Sequence, residues 1–129
     1  MPWWQSFRYS LIWGFIIAIL TLTPGDDLPD PPLIDIPHLD KFVHFMLFGV
    51  LSFLLSREFF LKKFPKKMVG SITLIIMAIC LIYSGLIEII QQFIPHRSGD
   101  WWDLLANFTG ISAGVVTFWI ITGYKDKTE

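Results

Sequence analysis

Between Lys67 and Glu88 the chain runs for 20 residues, MVGSITLIIMAICLIYSGLI, without one charged side chain. A helix needs about that many apolar residues to cross the hydrocarbon of a bilayer. Inside lipid the backbone must also satisfy its own hydrogen bonds, which a helix does. This run therefore points to a helical membrane fold, and three further apolar runs accompany it. The spans are read as residues 7–22, 42–60, 68–94 and 104–121, to within a few residues. The first two have uninterrupted apolar cores of only about 14 residues, short for a free-standing span, so neighbouring helices and tryptophan anchors are expected to support them. Only 16% of the residues are charged, against about 25% in soluble domains. The expected fold is all-α, a four-helix transmembrane bundle with residues 1–129 forming one domain.

Orientation follows from where Lys and Arg fall. Residues 23–41 hold Asp26, Asp27, Asp30, Asp35 and Asp40 against Lys41, whereas residues 56–67 hold Arg57, Lys62, Lys63, Lys66 and Lys67 against Glu58. The basic connector is expected in the cytoplasm and the acidic one outside, which puts both termini inside. Eight of the ten cations then lie inside, and only Lys41 and Arg97 lie outside. Trp3, Trp4 and Tyr124 fit the inner aromatic belt, and Trp101 and Trp102 the outer one. The sequence TLTPGDD after the first span has no small-x-small cleavage site, so that span is expected to be retained. The single cysteine, Cys80, excludes an intrachain disulfide.

The polar residues of three spans gather at one end. Span two carries Asp40 and His44, span three carries Glu88 with Gln91 or Gln92, and span four carries Asp103 and Asn107. Residues three or four apart share a helix face, so each pair forms a patch, and all three patches fall on the outer side. Ionisable groups at that depth seldom face lipid; facing one another is the cheaper arrangement. Span four shows how, because its stripe Asp103, Asn107, Gly110, Gly114, Thr117 puts two glycines where close helix approach would draw the polar ends together. Ser10, Gly14 and Ala18 offer a similar small stripe on span one. Taken singly, each residue has a plainer reading: Asp103 as a helix N-cap, the others as markers of the water interface.

These residues also carry a family resemblance. DKFVHFMLFGVLSFLL resembles the first signature of VanZ-like membrane proteins, and EIIQQFIPHRSGDWWDLLANFTGISAG resembles the second. The match falls on Asp40, Lys41, His44, Glu88, Gln91, Pro95, Arg97, Asp103, Asn107, Gly110 and Gly114. The resemblance implies a multi-pass protein of a bacterial cytoplasmic membrane and a link to low-level teicoplanin resistance. Some relatives carry a transferase label, but no acyl-CoA or phosphate-binding loop is visible here.

Asp40, Lys41, His44, Glu88, Gln91, Arg97, Asp103 and Asn107 are therefore expected to form an outward-facing polar site, with Gly110 and Gly114 as packing positions. The leading expectation is binding of an anionic envelope lipid or precursor, with Lys41 and Arg97 meeting its phosphate. A second is a bundle lock, in which the polar cluster is structural glue and partners supply the function. A third is a small lipid hydrolase or transferase using His44 and Glu88 as an acid–base pair. A metal centre would draw on His44, Glu88 and Asp103, but one histidine with scattered carboxylates is a weak zinc signal, so neither metal nor cofactor is expected. The bilayer is the expected surrounding, and nothing points to nucleic acid.

Overall fold

The computed structural model describes residues 2–24, 39–95 and 101–122. Among these there is no strand. The elements are α1 (Trp3–Ser6), α2 (Arg8–Leu22), α3 (Leu39–Phe60), a 3-10 turn (Lys66–Met68), α4 (Val69–Gln91) and α5 (Trp101–Thr122). Three of them, α3, α4 and α5, are long and apolar enough to cross a membrane. Helix α2 has 15 residues, which at 1.5 Å per residue reaches only about 22 Å of the roughly 30 Å hydrocarbon thickness. The short turn α1 precedes it, separated by a break at Phe7. Helices α3 and α5 each begin about three residues earlier than the sequence suggests, and α4 ends at Gln91 rather than near residue 94.

The bundle is apolar on both its inner and its outer surfaces. Ile17, Phe48, Leu51, Ile76, Cys80 and Ile111 pack in the interior, while Leu74, Ile82, Val116 and Ile120 are exposed on the outside. Helices apolar all round suit a lipid surrounding rather than water.

The most extensive helix pairing is α3 with α5. Its cause is local: a Cβ on Gly110 would collide with the Phe45 carbonyl, and one on Gly114 with the Gly49 carbonyl and Ser52 Oγ. The two backbones touch where side chains are missing. Ser52 Oγ crosses the seam to lie 2.9 Å from Ile111 O. Thr117 does not continue the stripe. It is exposed, and Phe118 takes the inner side, stacked on Phe60 with centroids 5.6 Å apart. Gly14 also departs from expectation, since nothing lies within 4 Å of its Cβ position. It opens onto an apolar groove of about 600 Å³ shared with Leu11, Phe15, Leu51 and Tyr83.

Helix α2 is held at both ends by side chains of other helices. Its first N–H groups have no partner within the helix. Glu58, buried near the end of α3, accepts from Tyr9 N at 2.9 Å and from Ser10 N at 3.3 Å, and also from Ser10 Oγ. At the other end Gln91 Nε2 donates to Thr21 O at 2.8 Å. Glu58 is thus a buried helix cap and not a solvated member of the basic connector. Carboxylates at helix N-termini also gain from the macrodipole, and hydrogen bonds to charged groups are worth about 1.5–3 kcal/mol each. Glu58→Ala is expected to lower unfolding free energy by about 2 kcal/mol, with SDS-titrated unfolding in bicelles as the measurement; no change would show that water replaces the carboxylate.

Candidate functional site

Helices α3 and α5 begin, and α4 ends, at the same end of the bundle, opposite the basic connector between α3 and α4. That arrangement brings His44, Glu88, Asp103 and Asn107 together. His44, Glu88 and Asp103 are each 7% exposed and Asn107 is fully buried. His44 sits in the second turn of α3 and Asp103 in the first turn of α5. Asp103 is inside its helix and faces inward, so the N-cap reading fails.

Hydrogen bonds set the chemistry of the imidazole. Asn107 Nδ2 donates to Ser84 Oγ at 2.7 Å, which turns its amide oxygen toward His44. Asn107 Oδ1 lies 3.0 Å from His44 Nδ1. An amide oxygen only accepts, so Nδ1 carries a proton and donates it. In the neutral ring Nε2 then holds the lone pair. Asp103 Oδ2 is 3.9 Å from that nitrogen, and Glu88 Oε1 is 3.8 Å from Nδ1. Both carboxylates are therefore close to the ring but outside hydrogen-bond reach. Asn107 holds the hydrogen bond to Nδ1, and Glu88, the acid–base partner the sequence suggests for His44, lies beside the same nitrogen at 3.8 Å.

Lys41 stands at the mouth of this cluster. Its ammonium is 3.5 Å from Asp103 Oδ1 and 3.4 Å from Asp40 Oδ2. The Lys41 side chain is 28% exposed and that of Asp40 is 64% exposed, so Asp40 belongs to the wet rim. Gln91 is buried but turned to α2, and its Oε1 has no partner among the described residues. Arg97 lies outside the described residues. Ser84 is the member that the site expected from sequence leaves out. It lies four residues before Glu88, on the same face of α4, and that spacing is the signal that could have found it.

Among the described residues the cluster holds Glu88 and Asp103 buried, with His44 between them and Lys41 at the edge. This arrangement can orient a proton on the imidazole, accept a cation, or present hydrogen-bonding groups to a polar ligand. A family model described as VanZ/LLP1 matches residues 2–122 of the chain. The chain belongs to the VanZ-like family. No curated protein and no solved structure matches it. The clustered groups of this VanZ-like chain lie in the two sequence blocks that resemble the family's signatures, so the blocks, separated by 32 residues of sequence, meet in one place in space.

Proposed function

We propose that this VanZ-like membrane protein receives the headgroup of an anionic cell-envelope lipid or precursor in the polar site, at the outer boundary of a bacterial cytoplasmic membrane. In this reading α2 is a short fourth span, both termini and the basic connector face the cytoplasm, and residues 1–129 act as one domain. The observation that carries the proposal is the burial of ionic and amide side chains from three helices in one cluster, with Lys41 at its mouth. A polar cluster is expensive at that depth, and bundle stability alone asks for fewer charges than are spent here, because interhelical hydrogen bonds in membranes contribute only about 0.6 kcal/mol each. A lysine beside a half-open cluster can exchange its carboxylate partners for a phosphate without leaving the boundary. The family's link to teicoplanin resistance suits a site on that face and is part of the proposal.

Photocrosslinking with anionic and zwitterionic lipid probes tests it. Wild type is expected to label preferentially with the anionic probe, and Lys41→Gln to lower that labelling about ten-fold, from the loss of a charge-assisted contact of roughly 1.5 kcal/mol. Equal labelling of the two proteins would remove the lysine from the site. A cysteine-accessibility map that places residues 61–67 outside would reverse the orientation and end the outer-leaflet reading.

A further inference from the structure

The apolar groove beside α2 is walled almost wholly by hydrocarbon. It runs along α2 from Phe7 to Ala18, with Leu51 of α3 and Tyr83 of α4 also lining it. Two hydroxyls border it, and both are taken: Tyr83 Oη donates to Gly14 O, and Ser10 Oγ to Glu58. From Phe7 to Ala18 the helix advances about 16 Å at 1.5 Å per residue. That is about the depth of one leaflet, half of a hydrocarbon layer of roughly 30 Å. Its volume of about 600 Å³ lies within the roughly 300–1,000 Å³ of ligand pockets.

A second pocket lies at the basic end of the bundle, beside the start of α2. Arg8, Tyr9, Arg57, Glu58 and Lys62 line it, around a space of about 370 Å³. The guanidinium carbon of Arg8 is 4.8 Å, and that of Arg57 5.7 Å, from the centre of the Tyr9 ring. Arg8 Nη2 also donates to Tyr9 Oη at 3.0 Å. Glu58 is the carboxylate among the lining residues, and its oxygens are turned to Tyr9 N, Ser10 N and Ser10 Oγ. Arg8, Arg57 and Lys62 are exposed, and none of them forms an ion pair with a described carboxylate. Cations gathered in this way at a membrane boundary attract anionic headgroups, and guanidiniums meet phosphate oxygens in pairs of hydrogen bonds.

Lys62 joins the two. It lines the basic pocket, yet its ammonium lies 4.4 Å from the centre of the Phe7 ring. Phe7 and Phe59, with ring centroids 4.9 Å apart, both border the groove. Positive charge therefore stands at the mouth of a channel that offers hydrocarbon and nothing else. We propose that one anionic phospholipid of the leaflet at this end seats an acyl chain in the groove and its phosphate among Arg8, Arg57 and Lys62. A zwitterionic headgroup would bring its own cation against these three, so the site selects net negative charge. A second copy of the chain laid on the groove would leave the cations without a phosphate. This site is separate from the polar cluster at the other end of the bundle, and its occupancy does not depend on that cluster.

The test uses the full chain, freed of lipid in detergent. It is mixed at sub-saturating levels with phosphatidylglycerol or phosphatidylcholine carrying the same photoreactive acyl chain, and the crosslinked peptides are mapped by mass spectrometry. Phosphatidylglycerol is expected to label the groove-lining residues of α2 and α3 in preference to phosphatidylcholine. Arg57→Gln and Lys62→Gln should each lower that groove labelling about five-fold, the effect of one cation near an anionic headgroup. Gly14→Leu should lower it at least as much with every cation in place. No atom lies within 4 Å of the Gly14 Cβ position, so the leucine fills the groove, and it is a better helix former than glycine. Lys67→Gln, in the basic connector but outside the pocket, and Lys41→Gln, at the other end, should label the groove as wild type does. Circular dichroism confirms that the variants fold; if Gly14→Leu does not, the contrast of Arg57→Gln with Lys67→Gln carries the test. Equal groove labelling by the two lipids, undiminished labelling in Gly14→Leu, or equal losses in Arg57→Gln and Lys67→Gln overturns the proposal. So does a dimer, measured by light scattering, that Gly14→Leu dissociates, since it gives the groove to a second copy. Lys41→Gln is read on the peptides of the polar cluster, so the two lipid sites fail separately.

Discussion

Gly110→Ala is expected to destabilise the bundle by at least about 3 kcal/mol, the upper end of overpacking costs. The added methyl would meet the Phe45 carbonyl, carbon and Cα, all backbone atoms of α3. Backbone inside a helix cannot rotate away as a side chain can, so the two helices must separate. Separation would loosen the crossing contact of Ser52 with Ile111 O and widen the gap between His44 and Asn107 one turn nearer the site. Gly114→Ala should behave similarly, because its methyl meets the Gly49 carbonyl as well as Ser52 Oγ. The internal control is Gly85→Ala on α4, where no atom lies within 4 Å of the new carbon. There the expected change is neutral or stabilising by up to about 1 kcal/mol, from the better helix propensity of alanine. SDS-titrated unfolding of all three variants in bicelles measures the contrast. Similar stability of Gly110→Ala and Gly85→Ala would mean that the α3–α5 seam is looser than its geometry indicates.

That seam was legible in the sequence from one side only. The Gly110 and Gly114 pair signals close approach, but the surface it meets, Phe45 to Ser52 on α3, carries only Gly49 as a hint. The convergence of His44, Glu88, Asp103 and Asn107 was legible as well, because spacing of three or four residues fixes a face and lipid fixes which way a charged face turns. Individual partners were not legible. Whether His44 meets Glu88 or Asn107 depends on rotations of a few tens of degrees about three helix axes, which no local pattern encodes. The restraint of α2 was hidden for a different reason. Glu58 lies among five cations and reads as connector, yet α3 continues to Phe60 and turns it onto the N-terminus of α2. Gln91, similarly, lies three residues after Glu88 and reads as part of the site, whereas the open end of a short α2 draws its amide to Thr21. Both cases have one physical origin: a helix too short for the bilayer ends where water is scarce, so its terminal groups recruit side chains that the sequence places elsewhere.

Asn107→Asp is the substitution that separates charge from shape at the site. The two side chains have nearly the same size, and a carboxylate can still accept from His44 Nδ1, while Ser84 can turn its hydroxyl to donate. What changes is the addition of a third buried carboxylate beside Glu88 and Asp103, at a position with no solvent exposure. An uncompensated buried charge costs about 3–5 kcal/mol. A loss near 3 kcal/mol is therefore expected. Asn107→Leu, by contrast, removes two hydrogen bonds and adds no charge, for a loss of about 1 kcal/mol at the average found within membranes. The apolar substitution should therefore be the milder one, opposite to the order expected if the cluster were only hydrogen-bonded glue. Melting of the three proteins decides between the two accounts. Equal losses for both substitutions would mean that hydrogen bonds and not charge balance govern the site.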